Sequence, residues 1–71
     1  MRKELAIARD NIGLTQARMA ELLGISRSYY SLIENGMRNP DYGLAKRIAK
    51  IFKVSPSNIF FDLDGFNMKQ K

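Results

Sequence analysis

At 71 residues, with twelve Lys and Arg against seven Asp and Glu, the chain reads as one small domain of formal charge +5 and pI near 9.9. That balance suits a polyanionic partner. The lack of cysteine excludes a disulfide staple and a thiolate, and the lack of histidine excludes the usual zinc sites and histidine-dependent catalysis. A chain this short buries only about 60% of the surface its unfolded form exposes, so the fold stands on its apolar core and its stability is modest.

From Arg2 to Asn11, Leu5, Ala8 and Ile12 recur at helical spacing, and Gly13 supplies a stop, which predicts a first helix. Thr15 is a good N-cap for a second helix through Leu22 or Leu23, ended by Gly24. Ser26 opens a third that runs to Glu34 and stops at Asn35-Gly36. Only Gly24-Ile25 joins this pair, and such a helix-turn-helix unit presents its second helix to DNA. Ala20 is small where the two helices cross, and Met19, Leu23, Ile25, Tyr30 and Ile33 form the inward apolar set. Arg27, Ser28, Tyr29, Ser31 and Leu32 are left outward on the second of the two.

Pro40 disfavours helix at Asn39, and Asp41 is placed to cap a fourth helix from Tyr42 to Phe52 with a stripe of Leu44, Ala45, Ile48, Ile51 and Phe52. Gly43 in its first turn costs about 1 kcal/mol relative to alanine and softens the start. Ser55-Pro56 resembles an N-cap followed by proline at the first helical position, which predicts a short fifth helix over Ser57 to Phe60 that docks Ile59 and Phe60 into a core with Leu5 and Ile48. Residues 62–71 lack a helical period and read as a turn and a tail. No strand-like alternation, repeat or block of like charges occurs, and no apolar run approaches the roughly 20 residues of a membrane span. With no signal-peptide pattern at Met1-Arg2-Lys3-Glu4, the chain reads as cytoplasmic and complete.

The segments Leu14-Thr-Gln-Ala, Ala20-Glu-Leu-Leu-Gly-Ile-Ser-Arg-Ser, Ile33-Glu-Asn-Gly, Asn39-Pro, Ala49, Val54-Ser and Ile59-Phe stand in an order that resembles the helix-turn-helix family of phage repressors and Cro proteins, over about residues 5 to 60. The resemblance implies an all-α, compact five-helix bundle of the lambda-repressor type, with residues 1–61 as the DNA-binding domain. It also implies a dimer that regulates transcription by binding an operator. Two positions depart from the family pattern. Tyr30 stands where a branched aliphatic residue is more frequent, and is expected in the core with its hydroxyl at an edge. Lys53 stands where a helix-ending glycine is common, which asks it for a left-handed conformation costing about 1 kcal/mol.

Arginine suits guanine because its planar fork matches the O6 and N7 acceptors, so Arg27, near the start of the third helix, is the first base-reading candidate; its alternative is a phosphate contact or a solvated side chain. Ser28, Ser31 and Leu32 complete the base-reading set, Leu32 by packing on a thymine methyl. Their plainer readings are an exposed first-turn serine, a backbone-bonded serine, and dimer or core packing. The phosphate candidates are Gln16, Tyr29, Asn35 and Arg38. The resemblance implies a phosphate bond from the side chain and amide of Gln16, beside a helix end of partial positive charge, and another at Asn35. Asn35 reads equally as a left-handed C-cap, and Asn39 orders its own loop.

The resemblance also implies a structural ion pair between Arg9 and Glu34. Phe60, Phe61 and Phe66 supply more apolar surface than one core end needs, which makes Phe61 and Phe66 the dimer candidates. Asp62-Leu-Asp-Gly65 opens like a calcium loop, but its glycine comes too early and no glutamate follows at the required distance. Glu21, Asp10 and Asp41 lie on separate elements, so neither an enzyme, a cofactor, a metal nor a small-molecule ligand is expected. The expected partners are double-stranded DNA, read in the major groove, and a second copy of the chain. The competing reading keeps the same scaffold as a protein-interaction module, an antitoxin or an antagonist of a regulator.

Overall fold

A computed structural model of the chain describes residues 1–60 and contains, among them, four α-helices and no strand: α1 (Lys3–Asn11), α2 (Gln16–Leu23), α3 (Arg27–Glu34) and α4 (Tyr42–Ile51). A single 3-10 turn at Pro56–Asn58 stands where a fifth helix is expected. Ser55 fails to cap it, because its hydroxyl bonds the Ser57 hydroxyl at 2.9 Å. Three residues also close too few backbone bonds to repay α-helix nucleation. The chain divides into two compact units, Met1–Asn39 and a second that begins at Pro40. Phe61, Phe66 and the expected tail over 62–71 lie outside the described residues.

The helix starts follow from side-chain chemistry. The Thr15 hydroxyl accepts from the Arg18 amide at 3.0 Å, the Ser26 hydroxyl from the Tyr29 amide at 3.0 Å, and the Asp41 carboxylate from the Leu44 amide at 2.8 Å. Each bond satisfies one donor that a helix N-terminus leaves open. The ends share one device, a pair of crossed backbone bonds closed by a left-handed residue. After α2 the residue is Gly24, at φ 72°, with its amide bonded to the Glu21 carbonyl and that of Ile25 bonded to Ala20. The same two bonds follow α1 at Gly13-Leu14, α3 at Gly36-Met37 and α4 at Lys53-Val54. Asn35 therefore is not the left-handed residue: it is right-handed at φ −79°, and Gly36 takes the turn.

In the first unit α3 packs against α2 and α1, and Leu5, Met19, Ala20, Leu23, Tyr30 and Ile33 are buried. Each large apolar side chain among them contributes about 1.5–3 kcal/mol. Ala20 keeps the α2–α3 approach close, while Ile25 is only half-buried. Ile12, expected on the inner stripe, is half exposed. It follows the last residue of α1, where the chain already turns toward Gly13, so the helical register no longer aims it inward. In the second unit the buried stripe of α4 is Ala45, Ile48 and Ala49, α4 packs against the 3-10 turn, and Ile59 and Phe60 are buried beyond it.

Lys53, at φ 59°, is the one non-glycine residue with positive φ among those described. A Cβ in that region is strained by about 1–2 kcal/mol. Lys53→Gly is expected to raise stability by about 1 kcal/mol, which for a domain of this size lifts the melting temperature by roughly 4–8 °C. A thermal melt in which the variant is no more stable than the parent would contradict the strain.

Candidate nucleic-acid interface

The inner side of the helix-turn-helix unit is organised by one carboxylate. Glu34, the last residue of α3, is 1% exposed, and its two oxygens accept from three elements. Arg9 of α1 donates through Nε to Oε2 at 2.8 Å and through Nη2 to Oε1 at 3.1 Å. Gln16, at the start of α2, donates from Nε2 to Oε1 at 2.9 Å, and the Tyr30 hydroxyl donates to Oε2 at 2.9 Å. Arg9 adds a bond from Nη1 to the Leu14 carbonyl at 2.6 Å, tying the α1–α2 loop to the same group.

The expected Arg9–Glu34 pair is thus present as part of a larger cluster. The Tyr30 hydroxyl, expected at an edge, is fully buried against this carboxylate instead. Burial pushes the Glu34 carboxyl up, but the bonds from Arg9, Gln16 and Tyr30 outweigh it and hold the group below the usual carboxylate range. Burial first, and the neighbouring carboxylate second, push the Tyr30 phenol up. The bond to Glu34 raises Arg9. At neutral pH the cluster therefore holds one anion, one cation and a neutral phenol.

Ser28 and Leu32 lie on the side of α3 away from Glu34, whereas Arg27, seven residues before Glu34, shares its stripe two turns away at the helix start. Arg27 and Ser28 are exposed, and Ser31 and Leu32 are half-buried one turn further along. Beside them the Arg38 guanidinium lies 5.5 Å from the centre of the half-buried Tyr29 ring. The structure therefore brings all four base-reading candidates onto one helix, with two phosphate candidates, Tyr29 and Arg38, in contact at its flank. Asn35 is exposed at the end of α3. Gln16, half-buried at the start of α2, gives Glu34 one of its two side-chain amide hydrogens and keeps the other.

Composition and periodicity missed Arg2. It is 6% exposed and donates through Nη1 to the Ile33 carbonyl at 2.6 Å and the Arg38 carbonyl at 3.1 Å, and through Nη2 to the Asn39 side-chain oxygen at 2.6 Å. Its amide donates to the Glu34 carbonyl at 2.8 Å. The available signal was its register: Arg2, Leu5 and Arg9 fall on one helical face. Among the described residues no group of three His, Asp or Glu is placed to hold a metal, and no helix is long and apolar enough to cross a membrane.

Residues 5–59 match the family model described as helix-turn-helix. An uncharacterized HTH-type transcriptional regulator of Bacillus subtilis, YqaF, is 42% identical over 50 residues, covering 70% of this chain and 66% of that protein. The chain thus spans about two thirds of that relative. A second uncharacterized HTH-type transcriptional regulator, from Methanocaldococcus jannaschii, is 40% identical over 60 residues, covering 84% of this chain and 91% of its own length. A third, from Archaeoglobus fulgidus, is 32% identical over 60 residues, covering 84% of this chain and 86% of its own. No solved structure gives a significant match. The chain belongs to the XRE-type helix-turn-helix family of regulators.

Since the folded Glu34 carboxyl titrates below its ordinary value of 4.5, the unfolded chain holds the extra proton between the two values. The stability this group contributes is complete above the ordinary value, falls as pH drops through that interval, and is gone below it. Glu34→Gln is therefore expected to cost about 3 kcal/mol near pH 7, because it strands Arg9, and much less in acid. Urea unfolding at about pH 7 and about pH 3 checks this. A difference between variant and parent that is the same at both would contradict the account.

Proposed function

We propose that the chain is a sequence-specific DNA-binding regulator of transcription, acting as a cytoplasmic repressor with residues 1–61 as its DNA-binding domain. The observation that supports this reading best is the way α3 is held from one end and left open at the other. Glu34 and Tyr30 are locked into the interior, whereas Arg27 and Ser28 are exposed in the first turn and Ser31 and Leu32 are half-buried one turn on. A helix held this way enters the major groove with its N-terminal residues toward base edges. Arg27 then reads a guanine, Leu32 meets a thymine methyl, and Gln16, Tyr29, Asn35 and Arg38 bond the flanking phosphates that set orientation. The net charge of +5 supplies long-range attraction to the duplex.

A single α3 reads too few base pairs to pick out one site in a genome. The reading therefore includes a homodimer on a palindromic operator, with two α3 helices in successive major grooves about 34 Å apart. Phe61 and Phe66 are the residues proposed for its contact.

Titration of the full chain against the DNA upstream of its own gene and against random duplex, over a salt series, tests the proposal. A specific complex whose affinity falls steeply with salt is expected. Arg27→Ala should cost about 1–3 kcal/mol at defined operator positions, while Arg38→Ala should weaken all duplexes alike and lower the salt slope by about one. Equal affinity for both duplexes would contradict the proposal and favour a helix-turn-helix scaffold that binds protein.

A further inference from the structure

We infer that Arg2 is a positioning residue for DNA binding: from the start of α1 it holds the turn after α3 so that Arg38 and Tyr29 face the duplex backbone together. The inference rests on the DNA-binding reading above and extends it to a residue remote in sequence from the helix-turn-helix. A helix C-terminus leaves carbonyls open and carries partial negative charge, and a guanidinium answers both with donors in a planar fork. Arg2 is placed at the end of α3 in this way. Its bonds to the Ile33 and Arg38 carbonyls and to the Asn39 side chain span the whole turn from the last helical residues to the next unit's boundary. Two further bonds, from the Met37 and Arg38 amides to the Leu32 carbonyl at 2.9 and 3.2 Å, close the turn from inside.

The result is an Arg38 whose backbone is fixed at its carbonyl and its amide, while its side chain is exposed and its guanidinium rests 5.5 Å from the Tyr29 ring. A cation ordered before binding loses less freedom when a phosphate arrives than one on a loose loop. Arg2 is too buried to meet the duplex itself, so it acts through Arg38. Because phosphate contacts are independent of sequence, the effect must be uniform over duplexes.

A double-mutant cycle on DNA binding tests this, using the full chain, its own upstream duplex and a random duplex of equal length, at a temperature where circular dichroism shows each variant folded. Arg2→Ala is expected to weaken both complexes about tenfold and leave their ratio unchanged. Arg38→Ala should do the same, and the double variant should lose little more than Arg38→Ala alone. If Arg2→Ala does not fold, Asn39→Ala removes one acceptor only, and the same cycle expects a several-fold uniform loss that vanishes in the Arg38→Ala background. Folded variants that bind like the parent, or losses that multiply in the double variant, overturn the inference. Failure of the parent to bind either duplex overturns the DNA-binding reading itself.

Discussion

A carboxylate taken almost entirely out of water has to be answered by donors, and the arrangement of the first three helices is the answer that Glu34 receives. Four hydrogen bonds converge on it, two from Arg9, one from Gln16 and one from Tyr30. Those residues belong to α1, the first turn of α2, and α3 itself. No two of the helices can shift without opening a bond to a buried charge, a loss of several kcal/mol. A well-packed apolar replacement could be as stable, so the cluster is better understood as fixing where α3 lies than as a source of net stability. Its placement at the end of α3 fixes that helix while Arg27 and Ser28, at the other end, stay exposed.

Local chemistry agrees with this long-range constraint at each helix boundary. Oxygen side chains at Thr15, Ser26 and Asp41 start three helices, and one crossed-bond motif ends all four. Three of those ends use glycine and the fourth strains Lys53. Agreement between local preference and tertiary demand is what gives a short chain without cross-links a single fold.

These boundary signals are also why so much was legible in the sequence. Helices α1 to α4 follow from caps, glycines and apolar period, and of the set expected outward on α3, Arg27 and Ser28 are exposed while Tyr29, Ser31 and Leu32 are half-buried. What was not legible depends on partners brought from elsewhere in the chain. Nothing local to Gln16 reveals that Glu34 accepts from its amide at 2.9 Å. The Tyr30 hydroxyl, expected at an edge, has a buried acceptor one turn along its own helix. Arg2 drew no role from the sequence, since its acceptors are 31 to 37 residues away. Pro56-Ser-Asn has the grammar of a helix start and too few residues to become one.

The central claim is that the Glu34 cluster holds α3 so that Arg27, Ser28, Ser31 and Leu32, flanked by Tyr29 and Arg38, meet DNA. Backbone-amide NMR of the uniformly labelled chain, titrated with its upstream duplex, tests this most directly. The account predicts that perturbations concentrate on Gln16 and Ala17, on Arg27 to Leu32, and on Arg38, and leave Leu5 and the α4 amides of Ala45 to Ala49 nearly unmoved. Perturbations centred on α4, with α3 unchanged, would contradict it.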